Sequence, residues 1–152
     1  MIIRLFPDQI SKFWNALKFG ALAVNHIGSD TRTAEYCRNL MKNLMAEKYQ
    51  AWIGADRETR AINGVAITSI RKDIGDIPYV LIEAVYGFSV SPLADHDDFV
   101  RQMISFARNS GCDSVIAHTA NERLMREMER LGMVKVATVY RASVPKEGND
   151  GK

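Results

Sequence analysis

The sequence predicts an α/β fold in which a mixed central sheet of about six strands is flanked by four helices. Three observations support this. Segments with apolar residues at helical spacing are interleaved with short apolar runs, in the order β-α-α-β-β-β-α-β-α-β. One helical segment lies between two neighbouring apolar runs and so makes a crossover connection. The chain has 152 residues, 47% hydrophobic and 25% charged, which suits one soluble domain with a real core. That domain is expected to span 1–145, with a polar tail at 146–152.

Residues 2–5, IIRL, read as a short strand. Pro7 and Asp8 open a helix to about Asn25, with Ile10, Phe13, Trp14, Leu17 and Ala21 at helical spacing. Ser29 or Asp30 caps a second helix to about Lys48 that buries Tyr36, Leu40, Leu44 and Met45. A hairpin follows, from Ala51–Ala55 to Ala61–Arg71 across a polar turn at Arg57–Arg60. The turn KDIGDIP leads into an apolar strand, Tyr79–Val90. A loop then precedes a helix from about Asp97 to Asn109, ended by Gly111 in the left-handed conformation. Ser114–His118 is a short strand, Asn121–Leu131 a helix stopped by Gly132, and Val134–Val144 the final strand.

Composition removes several classes of function. A net charge of +2, with no basic stripe interleaved with aromatics, argues against a nucleic-acid partner. No apolar run reaches the roughly 18 residues that span a bilayer, and the N-terminus lacks signal-peptide architecture, so a cytoplasmic protein is expected. Cys37 and Cys112 have neither metal-like nor redox-like spacing; they read as buried thiols in a reducing compartment, and no metal site is expected.

Two local patterns carry a family resemblance. Residues 111–133, GCDSVIAHTANERLMREMERLGM, resemble the second conserved block of the GNAT superfamily of acetyl-CoA-dependent N-acetyltransferases. That block runs from a glycine through a strand to N-x-x-A-x-x-x-Y-x-K-x-G-F, and Asn121, Leu131, Gly132 and Met133 fall at matching places. Asn121 is also a good helix N-cap and Gly132 a good C-cap, so this helix forms with or without catalysis. The family's first block, V-x-P-x-x-R-G-x-G-x-G/A, matches at Val90 and Pro92 and keeps its length through VSPLADHDDF. Its chemistry is altered: Asp95 stands at the arginine position, and His96, Asp98 and Val100 stand at the glycines.

The substitutions bear on the cofactor that the resemblance implies, acetyl-CoA. Glycines let the backbone approach a pyrophosphate closely, and side chains at these positions crowd that approach. Each Asp–phosphate contact near 4 Å costs about 1–4 kcal/mol in partly screened surroundings. A structural role is the plain alternative, with Asp95 or Asp97 capping the helix and complementing its dipole. By the resemblance, Phe88, Val90, the helix start at Phe99 and Asn121 are the cofactor-binding candidates.

The family's acid, a tyrosine seven residues after the helix-start asparagine, falls on Met128, which has no proton to donate. His118, Tyr86 and Tyr140 are the candidate substitutes. Glu83 is the one acid within the apolar strand, where a carboxylate must be paired, hydrated or raised in pKa; it is the candidate general base. Its competing role is an ion pair with Arg71 or Lys72. The tryptophans and most methionines read as core, and Arg123, Arg126 and Arg130 with Glu122, Glu127 and Glu129 as a solvated paired surface.

Two functions follow. One is a divergent N-acetyltransferase acting on a small amine, a protein N-terminus or a lysine. The other is a catalytically inactive GNAT-fold binding or structural module, for example a phage-encoded virion or assembly protein with a protein partner.

Overall fold

The computed structural model describes residues 1–24, 32–87, 93–119, 121–140, 142 and 144–145. By internal contacts the chain divides into two units, Met1–Thr119 and Ala120–Lys152. The first unit contains β1 (Ile2–Leu5), α1 (Pro7–Val24), α2 (Thr33–Met45), β2 (Tyr49–Ala55), β3 (Ile62–Lys72), β4 (Pro78–Gly87), α3 (Leu93–Asn109) and β5 (Ser114–Ala117). The second contains α4 (Glu122–Arg130).

Among the described residues the sheet has five strands in the order β1-β2-β3-β4-β5. The first four pair antiparallel, β2, β3 and β4 across short turns and β1 with β2 through the connection that carries α1 and α2, while β4 pairs with β5 in parallel, as the crossover through α3 requires. One face of the sheet packs on α1 and α2 through Leu5, Ala51, Ile53, Val65 and Ile67 against Ile10, Leu17, Ala21, Leu40 and Leu44. The other packs on α3 through Trp52, Ala66 and Ile82 around Met103. Residues 51, 53, 65 and 67 face one way, while 52 and 66 face the other, which is the period-two alternation of a sheet covered on both sides.

The α/β class and the four helices are as the sequence predicts, and the strand count is five where about six were expected. The difference is the final strand. Residues 133–140, 142, 144 and 145 form no strand, and Val134, Val136, Val139, Tyr140 and Val144 are exposed. A β pattern supplies one face and a row of hydrogen-bonding groups; a strand also needs a neighbouring backbone to take them.

Other boundaries also move. Helix α2 ends at Met45, and a turn with Glu47 at φ 56° leads into β2. Met45, expected in the core, is exposed because it lies about 100° round the helix from buried Leu44. The expected caps Ser29 and Asp30 lie outside the described residues. Cys37 and Cys112 are half-buried free thiols rather than fully buried ones, and burial pushes the Cys112 thiol up.

A buried polar chain ties the start of β2 to its surroundings. Trp52 Nε1 donates to Thr68 Oγ1 at 3.0 Å, and Thr68 Oγ1 donates to Gln50 Oε1 at 3.0 Å. Gln50 Nε2 reaches the Glu47 carbonyl at 3.3 Å. The side chains of Gln50, Trp52 and Thr68 thus satisfy one another, as their burial requires.

Candidate active site

The pairing of β4 with β5 stops at Ile82 and Ala117, while β4 continues beside β3 to Gly87. From Glu83 to Gly87 the β5-facing edge of β4 therefore has no strand partner among the described residues. The register on the other side explains the parting. Ile67 faces Ala84 and Thr68 faces Ile82, so Glu83 has no opposite number and forms a bulge. A bulge bends its strand and reverses which face the following residues take. Accordingly Ile82 and Val85, three residues apart, both pack on the α3 side, while Ala84 and Tyr86 pack on the α1–α2 side. Among the described residues the two strands therefore part at the carboxyl end of a parallel pair, the usual place for a ligand in an α/β sheet.

Glu83 sits where the strands part, with its carboxylate held on one oxygen. Oε1 accepts from Ser69 Oγ at 2.6 Å and from Arg71 Nε and Nη2 at 3.2 and 2.5 Å. Oε2 accepts no hydrogen bond among the described residues. The Arg71 Nε–H is shared with Ser69 Oγ at 2.9 Å, and the guanidinium lies 6.0 Å from the Tyr49 ring centroid. Ser69 is buried, whereas the side chains of Arg71 and Glu83 are 44% and 27% exposed. The hydrogen bonds that Arg71 donates to Glu83 push its pKa up, so the guanidinium stays charged. Tyr36 of α2 completes the surroundings; burial raises its pKa first, and its neighbours Cys37, Glu83 and Tyr49 add to the rise.

Glu83 is thus in the ion pair with Arg71 that the sequence offered as its competing role. The pair does not consume the carboxylate, because one oxygen remains open. Ser69, Tyr36 and Tyr49 were not among the sequence candidates. Ser69 and Arg71 share a face of β3 by period-two spacing, a signal the sequence carries; their alignment with Glu83 depends on the register.

The other candidates are placed as follows. His118 is exposed, one residue beyond β5, and therefore next in register to Glu83 where the two strands part. Tyr86 packs on the α1–α2 side with its ring edge-on to Phe19 at 5.5 Å. Phe88 and Val90 lie outside the described residues. Phe99 is the seventh residue of α3 and packs toward Trp52 and Met103, so its N–H falls beyond the four that a helix start leaves free. Tyr140 is exposed and in no strand. Asn121 caps α4, its Oδ1 accepting from the N–H groups of Arg123 and Leu124 at 3.0 and 3.1 Å.

Helix α3 begins at Leu93, about a turn before the expected start. Leu93 and Ala94 are strong helix formers, and acidic residues in a first turn favour the helix dipole. Asp97 is consequently the fifth helical residue and Asp95 the third, and neither is the cap. Among the described residues no group of three or more acidic, histidine or cysteine side chains could hold a metal ion, and no helix is long and apolar enough to cross a membrane.

No family model and no curated protein matches the sequence. Solved structures do match. An aminoglycoside acetyltransferase from an uncultured soil metagenomic sample, in complex with sisomicin, aligns with TM-score 0.72 and 13% identity over 96% of both chains. The ribosomal-protein-alanine N-acetyltransferase of Brucella melitensis biovar Abortus 2308 aligns with TM-score 0.67 and 11% identity over 95% of this chain and 99% of that one. The fold is that of GNAT acetyltransferases. A predicted acetyltransferase of Clostridium acetobutylicum, solved with acetyl-CoA, aligns with TM-score 0.69 and 11% identity over 94% of this chain and 95% of that one. At these identities the GNAT likeness concerns architecture, and the chemistry is argued from the residues of this chain.

Proposed function

We propose that the protein transfers an acetyl group from acetyl-CoA to an amine, with Glu83 as general base. The observation that carries this reading is the free Oε2 of Glu83 at the point where β4 and β5 part. A thioester held along the open edge of β4 places its carbonyl beside an amine at Glu83. The amine nitrogen attacks the carbonyl carbon, and its proton passes to Glu83 Oε2. Collapse of the tetrahedral intermediate breaks the C–S bond and releases coenzyme A as a thiolate. His118, next in register to Glu83, is the group proposed to return a proton to that sulfur, in place of the tyrosine that Met128 replaces. Arg71 and Ser69 act as positioning groups that fix Oε1 and so aim Oε2. Positioning of the two reactants supplies the larger part of the acceleration.

Calorimetric titration with acetyl-CoA tests the reading. Saturable binding with a dissociation constant below about 100 μM, near −5.5 kcal/mol, is expected. Absence of binding overturns the reading and leaves the inactive binding module as the alternative. Glu83→Gln is expected to keep acetyl-CoA binding while lowering the acetylation rate about 10²-fold or more. In the degenerate loop, Asp95→Arg combined with Asp98→Gly is expected to tighten coenzyme A binding. Unchanged affinity in a folded double variant removes electrostatic repulsion from the account.

A further inference from the structure

Beside the Glu83 cluster lies a cleft of ≈ 430 Å³, within the range of small-ligand sites. It is formed where the end of α2 meets β2 and β3, and its lining includes Asn43, Glu47, Lys48, Tyr49, Gln50 and Arg71. The charges here are of both signs. Among the described residues the Glu47 carboxylate and the Lys48 ammonium make no ion pair. Arg71 gives Nε and Nη2 to Glu83 and also hydrogen-bonds Tyr49, so its guanidinium stands at the edge of the cleft. Glu83 in turn leaves Oε2 unused.

The backbone at Glu47 is a second observation. Its φ of 56° is left-handed, a conformation in which a helix-ending residue is usually glycine or asparagine. Glutamate there is strained, and the turn is held by the Lys48 N–H on the Asn43 carbonyl and by Gln50 on the Glu47 carbonyl. Glycine would relieve the strain and remove the carboxylate, so the turn keeps a charge at a conformational cost.

We infer that this cleft binds the acetyl acceptor, and that the acceptor is a small zwitterion whose amine and carboxylate are separated by a few methylenes. The carboxylate sits on Lys48 beside the Arg71 guanidinium, and the ammonium faces Glu47 and Glu83 Oε2, with the Tyr49 ring beside the chain. A polyamine meets Lys48 and Arg71 with no matching anion of its own. A dicarboxylate meets Glu47 and Glu83 in the same way. The assignment rests on Glu83 being the acceptor-side base, since that places the reacting nitrogen at Oε2.

Calorimetry in the absence of acetyl-CoA separates the possibilities, with 4-aminobutyrate, butylamine and butyrate as probes. The expected result is that 4-aminobutyrate binds about five- to tenfold more tightly than either of the others. Equal binding of butylamine or butyrate, or no binding of 4-aminobutyrate, overturns the inference. Lys48→Gln is expected to weaken 4-aminobutyrate by a similar factor and to leave butylamine unchanged. Glu47→Gly is the decisive variant: its unfolding midpoint should hold or rise, while 4-aminobutyrate binds about fivefold more weakly. Unchanged affinity in Glu47→Gly removes Glu47 from the site and overturns the zwitterion. Binding of 4-aminobutyrate without its acetylation counts against the transferase reading alone; acetylation of butylamine without selective binding of 4-aminobutyrate counts against the zwitterion alone.

Discussion

Helices α1 and α4 are held by opposite means. In α1, Ile10, Leu17, Gly20 and Ala21 are buried, and the helix packs on the sheet through Val65, Ile67 and their neighbours. In α4 no residue is buried. Leu124, Met125 and Met128 are only half-buried, and local supports stand out in α4: the Asn121 cap, Gly132 in the left-handed conformation at φ 86°, and the Arg130–Glu127 and Arg126–Glu122 pairs at 2.6 and 4.0 Å. Burial of one Leu or Ile side chain contributes about 1.5–3 kcal/mol, a cap about 1 kcal/mol and an exposed pair a few tenths. A helix built from caps and pairs is weak but can be read locally. A helix built from burial is strong but depends on distant residues.

The contrast can be broken at four points of decreasing effect. Leu17→Ala removes a side chain with 0% exposure and should lower global stability by about 2–5 kcal/mol in a urea titration. Gly20→Ala should destabilise by about 1–3 kcal/mol, although alanine is the better helix former, because the added Cβ would lie 2.2 Å from Val65 Cγ2 and 3.3 Å from Tyr86 Cβ. A stabilised Gly20→Ala variant in thermal unfolding would mean that propensity outweighs packing in α1. Asn121→Ala should cost α4 about 1 kcal/mol, visible as faster amide exchange across Glu122–Arg130. Glu122→Gln, which breaks the exposed pair with Arg126, should change stability by no more than about 0.5 kcal/mol, and 1 M salt should abolish even that difference.

The same division governs what could be read beforehand. The caps of α4 were legible because Asn121 and Gly132 act on residues within three or four positions. Helix α1 was legible because its apolar spacing repeats along the chain. The run Val134–Val144 has an equally clear strand composition, yet it forms no strand among the described residues, since composition cannot provide a neighbour. At the site, the sequence singled out Glu83 but left two roles open. The bulge opposite Ile67 and Thr68 is what sets Glu83 against Ser69 and Arg71 with one oxygen spare. A register shift of one residue exchanges the faces of a strand, and no local signal encodes it.

By itself, then, the sequence determined the α/β class, the order of the elements, the ends of α4 and the candidate carboxylate. Each follows from short-range periodicity, turn chemistry or the cost of a charge in an apolar strand. Only the tertiary structure decided the parting of β4 from β5, the bulge at Glu83, the cleft at the end of α2 and the absence of a strand from residues 133–140. These depend on which backbones lie side by side, and that is settled by burial across the whole sheet.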